Sequence, residues 1–288
     1  MEDKNKVSIG NIEVIALQDG KLNLPIEVLK NLDEDQTKEL NSKPEENPLT
    51  LSNINAFLIK NGSKNLLIDA GCRDLFGPSC GFLMDKLNDN GINADDITDL
   101  FFTHLHPDHV GGAITENGEA VFKNATIKIS GLEIDFWRDG KFEKVDVNGE
   151  NFANLAKSVL NAYDKIETIK DQEAIIPDVH VTSLPGHTPG HSGFRVDNGG
   201  NSFIHLGDIL HTPRLQLENP DVSLVFDVDM EQGLKTRKMM FDMVSKDKIL
   251  CSGGHMLEPK FCYIEKSGTG YKLSYWKDFN SFIIFFLW

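Results

Sequence analysis

Residues 103–112 read Thr-His-Leu-His-Pro-Asp-His-Val-Gly-Gly and place three imidazoles and one carboxylate within six residues. Borderline divalent metal ions prefer these ligand types. His104 and His106 are two residues apart at the end of a predicted strand, so both side chains point to the same side of an extended backbone. The proline that follows breaks the strand, which lets Asp108 and His109 turn toward a second position. The stretch therefore predicts a strand end that holds metal ions.

Three later side chains of the same types follow other predicted strands: His187 in the sequence LPGHTPGH, Asp208 in HLGD and His255 in SGGH. They can meet the first group only if these strand ends share one edge of the fold. The complete set contains enough ligands for two metal ions. One ion would be held by His104, His106 and His187, and the other by Asp108, His109 and His255, with Asp208 between them.

The rest of the chain predicts an α/β protein. Short apolar and β-branched runs bounded by turn residues predict strands at 12–18, 54–60, 65–69, 99–103, 179–184, 192–197, 202–206 and 249–252. Apolar residues at helical spacing predict helices at 81–90, 131–138, 150–164 and 230–245. Two sets of strands, each followed by helices, favour two β-sheets that pack face to face and are covered on the outside by helices. No linker or repeat divides the chain, so residues 1–288 are expected to form a single domain.

Two connections carry specific local signals. The helix at 81–90 is expected to be capped by Ser79 and to stop at Gly91. The sequence Asn-Gly-Gly at 198–200 predicts a hairpin turn, because these residues tolerate positive φ.

Composition narrows the classes of partner. Of the 288 residues, 40% are apolar and 25% are charged, as in soluble globular proteins. The formal net charge is −15, and such an acidic surface repels phosphate backbones and anionic lipid heads. We therefore expect a small-molecule partner and neither nucleic acid nor membrane. The four cysteines form no CxxC pair and are expected to be reduced or buried.

The chain ends carry no targeting or anchoring pattern. The N-terminal residues lack the apolar core of a secretory signal, so a cytoplasmic location is expected unless an exported precursor was trimmed before residue 1. The apolar run from Phe282 is far shorter than the roughly 20 residues that cross a bilayer. It is expected to pack on the body of the protein.

The motifs HxHxDH at 104–109, GHTPGH at 186–191, Gly-Asp at 207–208 and GGH at 253–255 resemble, in this order, those of the metallo-β-lactamase superfamily. The resemblance extends over nearly the whole chain. It implies an αββα sandwich with a dinuclear site, usually of zinc, and the ligand grouping given above. It also implies that Asp69, in an Asp-Ala-Gly sequence after an early strand, orients a ligand histidine.

Within the superfamily, the chain is similar to the branch of methyl parathion hydrolases and N-acyl-homoserine lactonases. The similarity rests on THLHPDHVGG, on Leu-Phe-Gly-Pro around Phe76 and on Asp-Phe-Trp ending at Trp137. The branch implies that Phe76 and Trp137 lie at the mouth of a substrate pocket and that the protein is a homodimer. Its lactonases carry a Tyr after the GHTPGH motif, but 192–210 contains none. His211 is expected to replace it as a donor to the substrate.

The ligand set also predicts a mechanism. Two divalent cations, two aspartates and a bridging hydroxide leave the centre positive, so it attracts a carbonyl or phosphoryl oxygen. Paired metal ions lower the pKa of a bridging water toward about 7, which makes hydroxide the expected nucleophile. Asp208 is expected to bridge the metals, and Asp108 to move the released proton to the leaving group. Zinc is the expected metal, although the same ligands suit manganese, cobalt or iron.

The substrate class follows from what the sequence lacks. β-Lactamases of the superfamily place Cys where Asp208 stands, nuclease members need basic surfaces, and glutathione thioesterases need a cationic cluster that the sequence does not reveal. A neutral ester with an apolar tail remains, and aromatic walls suit it. We expect a quorum-quenching lactonase that opens N-acyl-homoserine lactones. The alternatives are a phosphotriesterase of the methyl parathion hydrolase type and a non-catalytic metal-binding or signal-binding module.

Overall fold

Two seven-stranded β-sheets form the centre of the protein in a computed structural model that describes residues 4–42, 47–139, 146–147 and 150–275. The β-strands are β1 Lys6–Ile9, β2 Ile12–Asn23, β3 Leu29–Lys30, β4 Leu51–Asn61, β5 Lys64–Ile68, β6 Asp99–Phe101, β7 Thr126–Ser130, β8 Asp146–Val147, β9 Glu150–Asn151, β10 Ile166–Ile169, β11 Ala174–Ile176, β12 Val179–Ser183, β13 Ser192–Asn198, β14 Asn201–His205, β15 Ser223–Leu224, β16 Leu250–Ser252, β17 Cys262–Ser267 and β18 Gly270–Tyr275. The α-helices are α1 Glu34–Ser42, α2 Leu83–Asp89, α3 Pro107–Val110, α4 Gly131–Arg138, α5 Phe152–Ala162, α6 Pro213–Glu218 and α7 Met230–Asp247.

Both sheets mix parallel and antiparallel strands. The first has the order β1-β2-β4-β5-β6-β7-β10, and β5, β6, β7 and β10 are parallel neighbours in it. The second has the order β11-β12-β13-β14-β16-β17-β18, and β14 and β16 are parallel neighbours in it. The pairs β3–β15 and β8–β9 lie outside the two sheets.

The two sheets pack face to face, and the alternation of side chains along each strand separates the layers. On β4, Phe57 and Ile59 are buried in the core between the sheets, where they join Phe194 and Phe203 of the second sheet. Leu58 points to the opposite face, which α2, α4 and α5 cover. The outer face of the second sheet is covered by α7. The fold is the predicted αββα sandwich.

A smaller apolar cluster lies apart from these layers. It joins β3 and α1 to α6 and β15 through Leu29, Leu40, Leu215 and Leu224. Leu29 and Leu224 face each other across the antiparallel β3–β15 pair. We call residues 24–42 and 213–226 the roof, because they cover one side of the site described below. The short strands and helices of the roof were not predicted from the sequence.

Strand β2 is longer than predicted. The sequence pattern ends at 18, but the strand continues to Asn23 alongside β4. The pairing register shifts between Gln18 and Gly20. A bulge of this kind lets a strand bend and continue its pairing, which a strict alternation of apolar residues does not reveal.

Helix α2 is capped by a different residue from the one expected. Ser79 does not cap it, because Ser79 Oγ donates to Lys21 O instead. The acceptor comes from β2, where Asp19 Oδ1 accepts a hydrogen bond from Leu83 N at 2.8 Å. The other oxygen of Asp19 accepts from Cys72 N at 2.9 Å. Asp19, on a strand distant in sequence, thus caps the start of helix α2.

Glycines lie at the predicted hairpin turn and at the predicted end of helix α2. Gly199 and Gly200, with φ of 60° and 79°, join β13 to β14 as a two-residue hairpin. Helix α2 ends just before Gly91, whose φ is 70°. An L side chain adopts this left-handed conformation only at a cost, so both predictions from glycine are confirmed.

Three further predictions concern the cysteines, membrane-spanning helices and the C-terminal apolar run. All four cysteines are free and buried, as predicted. Within the part of the chain that the structure describes, no helix combines the length and the apolar composition needed to span a bilayer. The apolar run from Phe282 lies outside the described residues.

Replacing Asp19 with alanine tests the distant cap. The change removes the acceptor of two buried N–H groups, and each unsatisfied buried donor costs about 1–3 kcal/mol. We expect the free energy of unfolding in urea to fall by about 2–4 kcal/mol. As a control, Asp85→Ala removes an exposed carboxylate from α2 and should change that free energy by less than about 1 kcal/mol. Equal effects of the two changes would contradict the assigned role.

Candidate metal centre

The predicted ligands lie beyond the ends of strands that run in the same direction. Strands β5 and β6 end side by side in the first sheet, and β14 and β16 do so in the second. The loops after β6, β14 and β16 carry His104, Asp208 and His255. Strand β12 runs in the direction of β14, because two antiparallel pairings separate them, and the loop after it carries His187. Face-to-face packing brings these loops to one edge.

Close backbone contacts hold the histidine-rich loop against the loop that follows β5. Ala70 N donates to His109 O at 2.7 Å, and Gly112 N donates to Gly71 O at 3.1 Å. A Cβ on Gly112 would lie 2.1 Å from Ala70 O, so a side chain does not fit there. The glycines of the motif therefore serve the close approach of two backbones.

Three imidazoles and a carboxylate oxygen form the first ligand group. His104 Nε2 lies 2.9 Å from His106 Nδ1, which lies 2.8 Å from His187 Nε2. Asp208 Oδ2 lies 3.7 Å from both His104 Nε2 and His187 Nε2. Ligands at about 2.0–2.1 Å from a tetrahedral zinc ion are roughly 3.3 Å from one another. The spacing of this group fits one ion.

Two imidazoles and two carboxylates form the second group. His109 Nε2 and His255 Nε2 lie 3.5 and 3.6 Å from Asp108 Oδ2. The same two nitrogens lie 3.1 and 2.8 Å from Asp208 Oδ2. One oxygen of Asp208 therefore faces both groups. The structure brings the seven predicted side chains together in two groups, namely His104, His106 and His187, and Asp108, His109, Asp208 and His255.

Burial and charge set the protonation of the ligands. Burial lowers the pKa of His104 and His106 well below the usual histidine value, so both rings are neutral at pH 7, as metal ligands must be. His109 differs. Burial opposes its protonation, but the carboxylates of Asp208 and Asp108 raise its pKa. These carboxylates favour a positive charge at the position where the second ion would bind.

Two buried polar atoms support the presence of cations. His109 Nε2 and Asp208 Oδ1 are among the buried polar atoms of the described residues that have no hydrogen-bond partner. Buried polar atoms are nearly always paired, since an unpaired one costs about 1–3 kcal/mol. Two divalent ions would use such atoms as ligands. A set of imidazoles and carboxylates fits zinc and related ions.

His191 lies beside the ligands but has no nitrogen to offer a metal. Its Nδ1 donates to Leu184 O at 2.7 Å, and its Nε2 accepts from Asp208 N at 2.9 Å. Burial lowers the pKa of His191 to about 3, so the ring is neutral, as these two bonds require. His191 therefore fixes the backbone of Asp208.

Carboxylates hold two of the ligand histidines from behind. Asp69 Oδ2 lies 2.8 Å from His109 Nδ1, and Asp69 also accepts from the N–H and the hydroxyl of Thr103. Asp227 Oδ1 lies 2.8 Å from His187 Nδ1. Each carboxylate accepts the ring N–H, which leaves Nε2 facing the site. Asp69 lies where the resemblance implies, whereas Asp227 was not predicted.

Asp227 is held in turn by Arg237, whose Nη2 lies 3.7 Å away. The buried guanidinium also donates to the carbonyls of Ile209, Pro220 and Val222. Burial alone would raise the pKa of Asp227, but the hydrogen bond to His187 lowers it to about 2. The carboxylate is thus ionised at neutral pH. Nothing in the sequence distinguishes Asp227 from Asp229, two residues later.

Glu133 joins two of the ligand loops and was also missed. Its Oε1 accepts from Leu105 N at 3.0 Å and from Trp137 Nε1 at 2.6 Å. Its Oε2 accepts from Thr188 Oγ1 at 2.5 Å and from Gly190 N at 3.2 Å. Leu105 lies between two ligand histidines, and Thr188 follows a third. The sequence did contain a signal for Glu133. This carboxylate lies on the apolar face of the predicted helix at 131–138, where a buried polar role could have been inferred.

A cavity of about 220 Å³ opens onto the ligand cluster. Its polar end is lined by His106, Asp108, His187, Asp208, His211 and His255. Apolar side chains from the roof and from neighbouring segments line the rest, namely Leu22, Leu24, Pro25, Val28, Phe76, Phe152, Leu224 and Phe226. An ion-binding end and an apolar wall thus share one cavity.

Two of the three residues expected to bind substrate lie on this cavity. Phe76 is on its apolar wall and His211 at its polar end. Trp137 is not on the wall, in contrast to the expectation. It is 1% exposed, its indole N–H donates to Glu133, and its ring packs edge-on against His106 at 5.4 Å. The buried carboxylate needs this donor, which keeps the ring behind the ligands.

Asp227→Asn tests the support of His187. The change removes the negative charge behind the ring while it preserves the size of the side chain. Loss of such an outer partner lowers metal affinity by about 10–100-fold, and we expect less metal to remain after dialysis against a chelator. The matched control is Asp229→Asn, which makes the same charge change at the exposed N-cap of α7. Equal metal retention in both variants would contradict the role of Asp227.

Proteins of similar sequence include lactonases. The N-acyl homoserine lactonase of Bacillus cereus is 26% identical over 170 residues, which cover 58% of this chain and 59% of that protein. The N-acyl homoserine lactonase AiiA of Bacillus thuringiensis subsp. kurstaki is 25% identical over 170 residues, with the same coverage. The chain therefore spans about three fifths of the length of these relatives.

Solved structures share the fold over nearly the whole chain. AidC, a dizinc quorum-quenching lactonase, has a TM-score of 0.82 at 24% identity and covers 94% of this chain and 96% of its own. The hydrolase AbOPH has a TM-score of 0.81 at 28% identity, with the same coverage. The sequence pattern of the metallo-beta-lactamase superfamily matches residues 49–255. Because this match extends over more than half of the 288 residues, the chain belongs to the metallo-beta-lactamase superfamily.

Proposed function

We propose that this protein is a dinuclear metal-dependent hydrolase that opens the lactone ring of N-acyl-homoserine lactones. The observation that carries the proposal is the position of Asp208 Oδ2. This one buried oxygen lies 2.8–3.7 Å from the nearest ring nitrogens of both ligand groups, at His104 and His187 on one side and at His109 and His255 on the other. A carboxylate oxygen in that position is suited to bridge two cations.

The chain supplies ligands and a proton carrier. Two divalent cations, when bound, would polarise an ester carbonyl and make water acidic enough to react at neutral pH. Asp108 lines the cavity, and its side chain is 16% exposed, so it can reach both the ligand cluster and a bound substrate. We assign to it the transfer of the released proton to the leaving oxygen. Asp208 stays a ligand, because His191 and the buried site fix it.

The cavity supports a substrate that combines a polar ring with an apolar tail. The carbonyl of a lactone would lie at the polar end, while an acyl chain would pack on the wall that includes Phe76, Phe152 and Phe226. Each buried CH₂ contributes about 0.8 kcal/mol, so an acyl tail would account for much of the affinity. The names of the relatives, N-acyl homoserine lactonases, favour the same class of substrate.

His211 is the donor that we assign to the substrate oxygen. Its Nε2 lies 3.4 Å from Asp208 Oδ2, and its ring stacks on that of His255 at 4.8 Å. Burial lowers the pKa of His211 to about 4, so the ring is neutral at pH 7 and carries one N–H. Within the described part of the chain, His211 Nδ1 has no hydrogen-bond partner. The single N–H of this neutral ring can donate to a substrate carbonyl when the proton is on the nitrogen that faces the cavity.

Zinc and a homodimer belong to the same proposal. The dizinc neighbour AidC favours zinc, and the resemblance to the lactonase branch favours the dimer. Metal analysis of the purified protein and light scattering measure the two properties separately.

A comparison of three substrates on one zinc-loaded preparation tests the function. We expect kcat/KM to be highest for a long-chain N-acyl-homoserine lactone, lower for paraoxon and lowest for a β-lactam, because the cavity matches an acyl tail. Acid release measures lactone opening. A higher kcat/KM for paraoxon would favour the phosphotriesterase, and tight lactone binding without acid release would favour the non-catalytic module. Either result would overturn the proposal.

Asp208→Ala tests the bridge itself. Removal of the shared oxygen should lower the content of both metal ions and abolish turnover, and added zinc should not restore it. Chelator treatment of the unchanged protein should also abolish turnover, but zinc should restore it. Asp221→Ala serves as the control, since it removes an exposed carboxylate in the roof. Full activity of the Asp208 variant would rule out the bridging role.

His211→Phe tests the donor. Loss of one such donor costs about 10²–10³-fold in kcat, while the metal content should stay unchanged, because the two proposed ligand groups are complete without His211. His211→Gln retains an N–H and should recover part of kcat. Loss of metal from the phenylalanine variant would instead make His211 a ligand, in line with its distance from Asp208 and His187.

A further inference from the structure

Two asparagines lie on the face of β4 that packs against the second sheet. Side chains alternate along a strand, so residues 53 and 55 share the face of Phe57 and Ile59, which are buried between the sheets. Asn53 and Asn55 are both 2% exposed. Amides therefore replace apolar side chains at one end of this buried face.

Both amides bind the loop that follows β16 and carries His255. Asn53 Nδ2 and Asn55 Nδ2 donate to Met256 O at 2.8 and 2.9 Å. The main-chain N–H of Asn55 donates to Gly254 O at 2.8 Å. The carbonyls on both sides of His255 therefore accept hydrogen bonds from the first sheet, although the loop follows a strand of the second.

His255 itself is oriented by the same strand. Its Nδ1 lies 2.7 Å from Asn53 O, and its Nε2 lies 2.8 Å from Asp208 Oδ2. A carbonyl oxygen can only accept, so Nδ1 carries a proton and Nε2 is the nitrogen that a metal ion would bind. His109 and His187 are supported by carboxylates, whereas this ring is supported by a main-chain carbonyl of β4.

A further contact ties the same loop to β2. Lys260 Nζ donates to Gln18 Oε1 at 3.0 Å, and the lysine is 0% exposed. Gln18 is the cross-strand neighbour of Asn55. Gln18, Asn53 and Asn55 therefore form a buried polar patch on the first sheet that binds residues 254–260.

The second ligand group is divided between the two sheets. Asp108 and His109 follow β6 of the first sheet, whereas Asp208 and His255 follow strands of the second. A metal ion binds tightly only when its ligands lie within about 0.2 Å of their usual bonding distances. Contacts between β4 and the loop of His255 therefore influence the spacing within this group. The first group takes its ligand from the second sheet, His187, out of a different loop.

The amide oxygens indicate that placement of the loop is the main role of the pair. Asn53 Oδ1 and Asn55 Oδ1 are among the buried polar atoms of the described residues that have no hydrogen-bond partner. An unpaired buried oxygen costs free energy, which offsets part of the stability that the amide donors contribute. The hydrogen bonds to the loop are thus retained at some cost to the stability of the fold.

We propose that Asn53 and Asn55 are positioning residues for the second ligand group, and that they set the affinity for one metal ion of the pair and not for the other. The proposal rests on the dinuclear centre of the proposed function and does not depend on the lactone substrate. By holding the carbonyl that follows His255, the amides keep its Nε2 beside Asp208. Loss of an amide donor would let this ring shift, while the loop that carries His187 stays in place.

Zinc titration of variants that bind a single ion tests the proposal. His106→Ala removes a ligand of the first group only, so the remaining ion should occupy the second group. His255→Ala removes a ligand of the second group only, so the remaining ion should occupy the first. Asn55→Leu, which removes the amide and nearly preserves its size, is added to each background. Competition with a chromophoric chelator measures the dissociation constant of zinc, and circular dichroism checks the fold of each variant.

The two backgrounds should respond differently. With His106→Ala, we expect Asn55→Leu to weaken zinc binding by about 10–100-fold, as loss of an outer partner of a ligand does. With His255→Ala, the same change should leave the dissociation constant unchanged. Asn53→Leu removes the other donor to Met256 O and should give the same pattern. It also serves as the test if Asn55→Leu does not fold.

Asn65→Leu is the matched control. It removes another amide of the first sheet that donates to a main-chain carbonyl, Asp96 O at 3.0 Å, outside the site. It should change zinc binding in neither background.

Two results would overturn the positioning role. Equal weakening in both backgrounds would mean that the amides support the fold in general, and unchanged binding with His106→Ala would mean that they do not position the second group. Because zinc binding is measured without substrate, its outcome is separate from that of the lactonase assay. A zinc-loaded protein that opens no lactone would reject the proposed substrate, while the difference between the two backgrounds would still decide the role of the asparagines.

Discussion

One carboxylate oxygen constrains the whole site. Asp208 Oδ2 is surrounded by ring nitrogens from three other loops, and the carboxylate is 2% exposed. A charge buried this deeply is tolerated only with opposite charge around it. The fold meets the requirement by ending β14 and β16 side by side, which sets Asp208 next to His255, and by packing the two sheets, which brings His104 and His109 from the other side. The backbone of Asp208 is then fixed by His191.

A layer of buried carboxylates lies behind the imidazoles. Asp69, Glu133 and Asp227 each accept hydrogen bonds from, or next to, a ligand-bearing loop. Part of the acidic composition is thus used inside the protein rather than on its surface. Negative charge behind a ring makes its facing nitrogen a better donor of electrons to a cation. The site therefore has an inner layer of imidazoles and an outer layer of carboxylates, and both layers lie at the edge of the sandwich.

The sequence was sufficient to predict the layers of the fold and the side chains that meet at its edge, and insufficient to predict the residues that lie behind those side chains. His104 and His106 could be predicted, because alternation along a strand and a following proline act over a few residues. Asp19 and Asp227 could not, because each contacts a partner that only the tertiary fold brings near, and local capping rules favoured Ser79. The position of Trp137 at the pocket mouth was predicted from the resemblance to one branch of the superfamily. In this protein the hydrogen bond to the buried Glu133 holds the ring inside the core instead. The strands of the roof could not be predicted, because each is only two residues long and shows no alternation of apolar residues.

The separateness of the roof has an evolutionary consequence. Its apolar cluster, built around Leu29, Leu40, Leu215 and Leu224, is distinct from the cores that hold the sheets together. The two ligand groups lie at the edge of the sandwich, while the roof supplies much of the apolar wall of the cavity. Selection could exchange apolar side chains in residues 24–42 with little effect on the ligand groups, whereas Pro220 and Val222 in the second part of the roof accept hydrogen bonds from Arg237, which holds Asp227. New substrates could therefore be accommodated during evolution through changes in residues 24–42 of the roof.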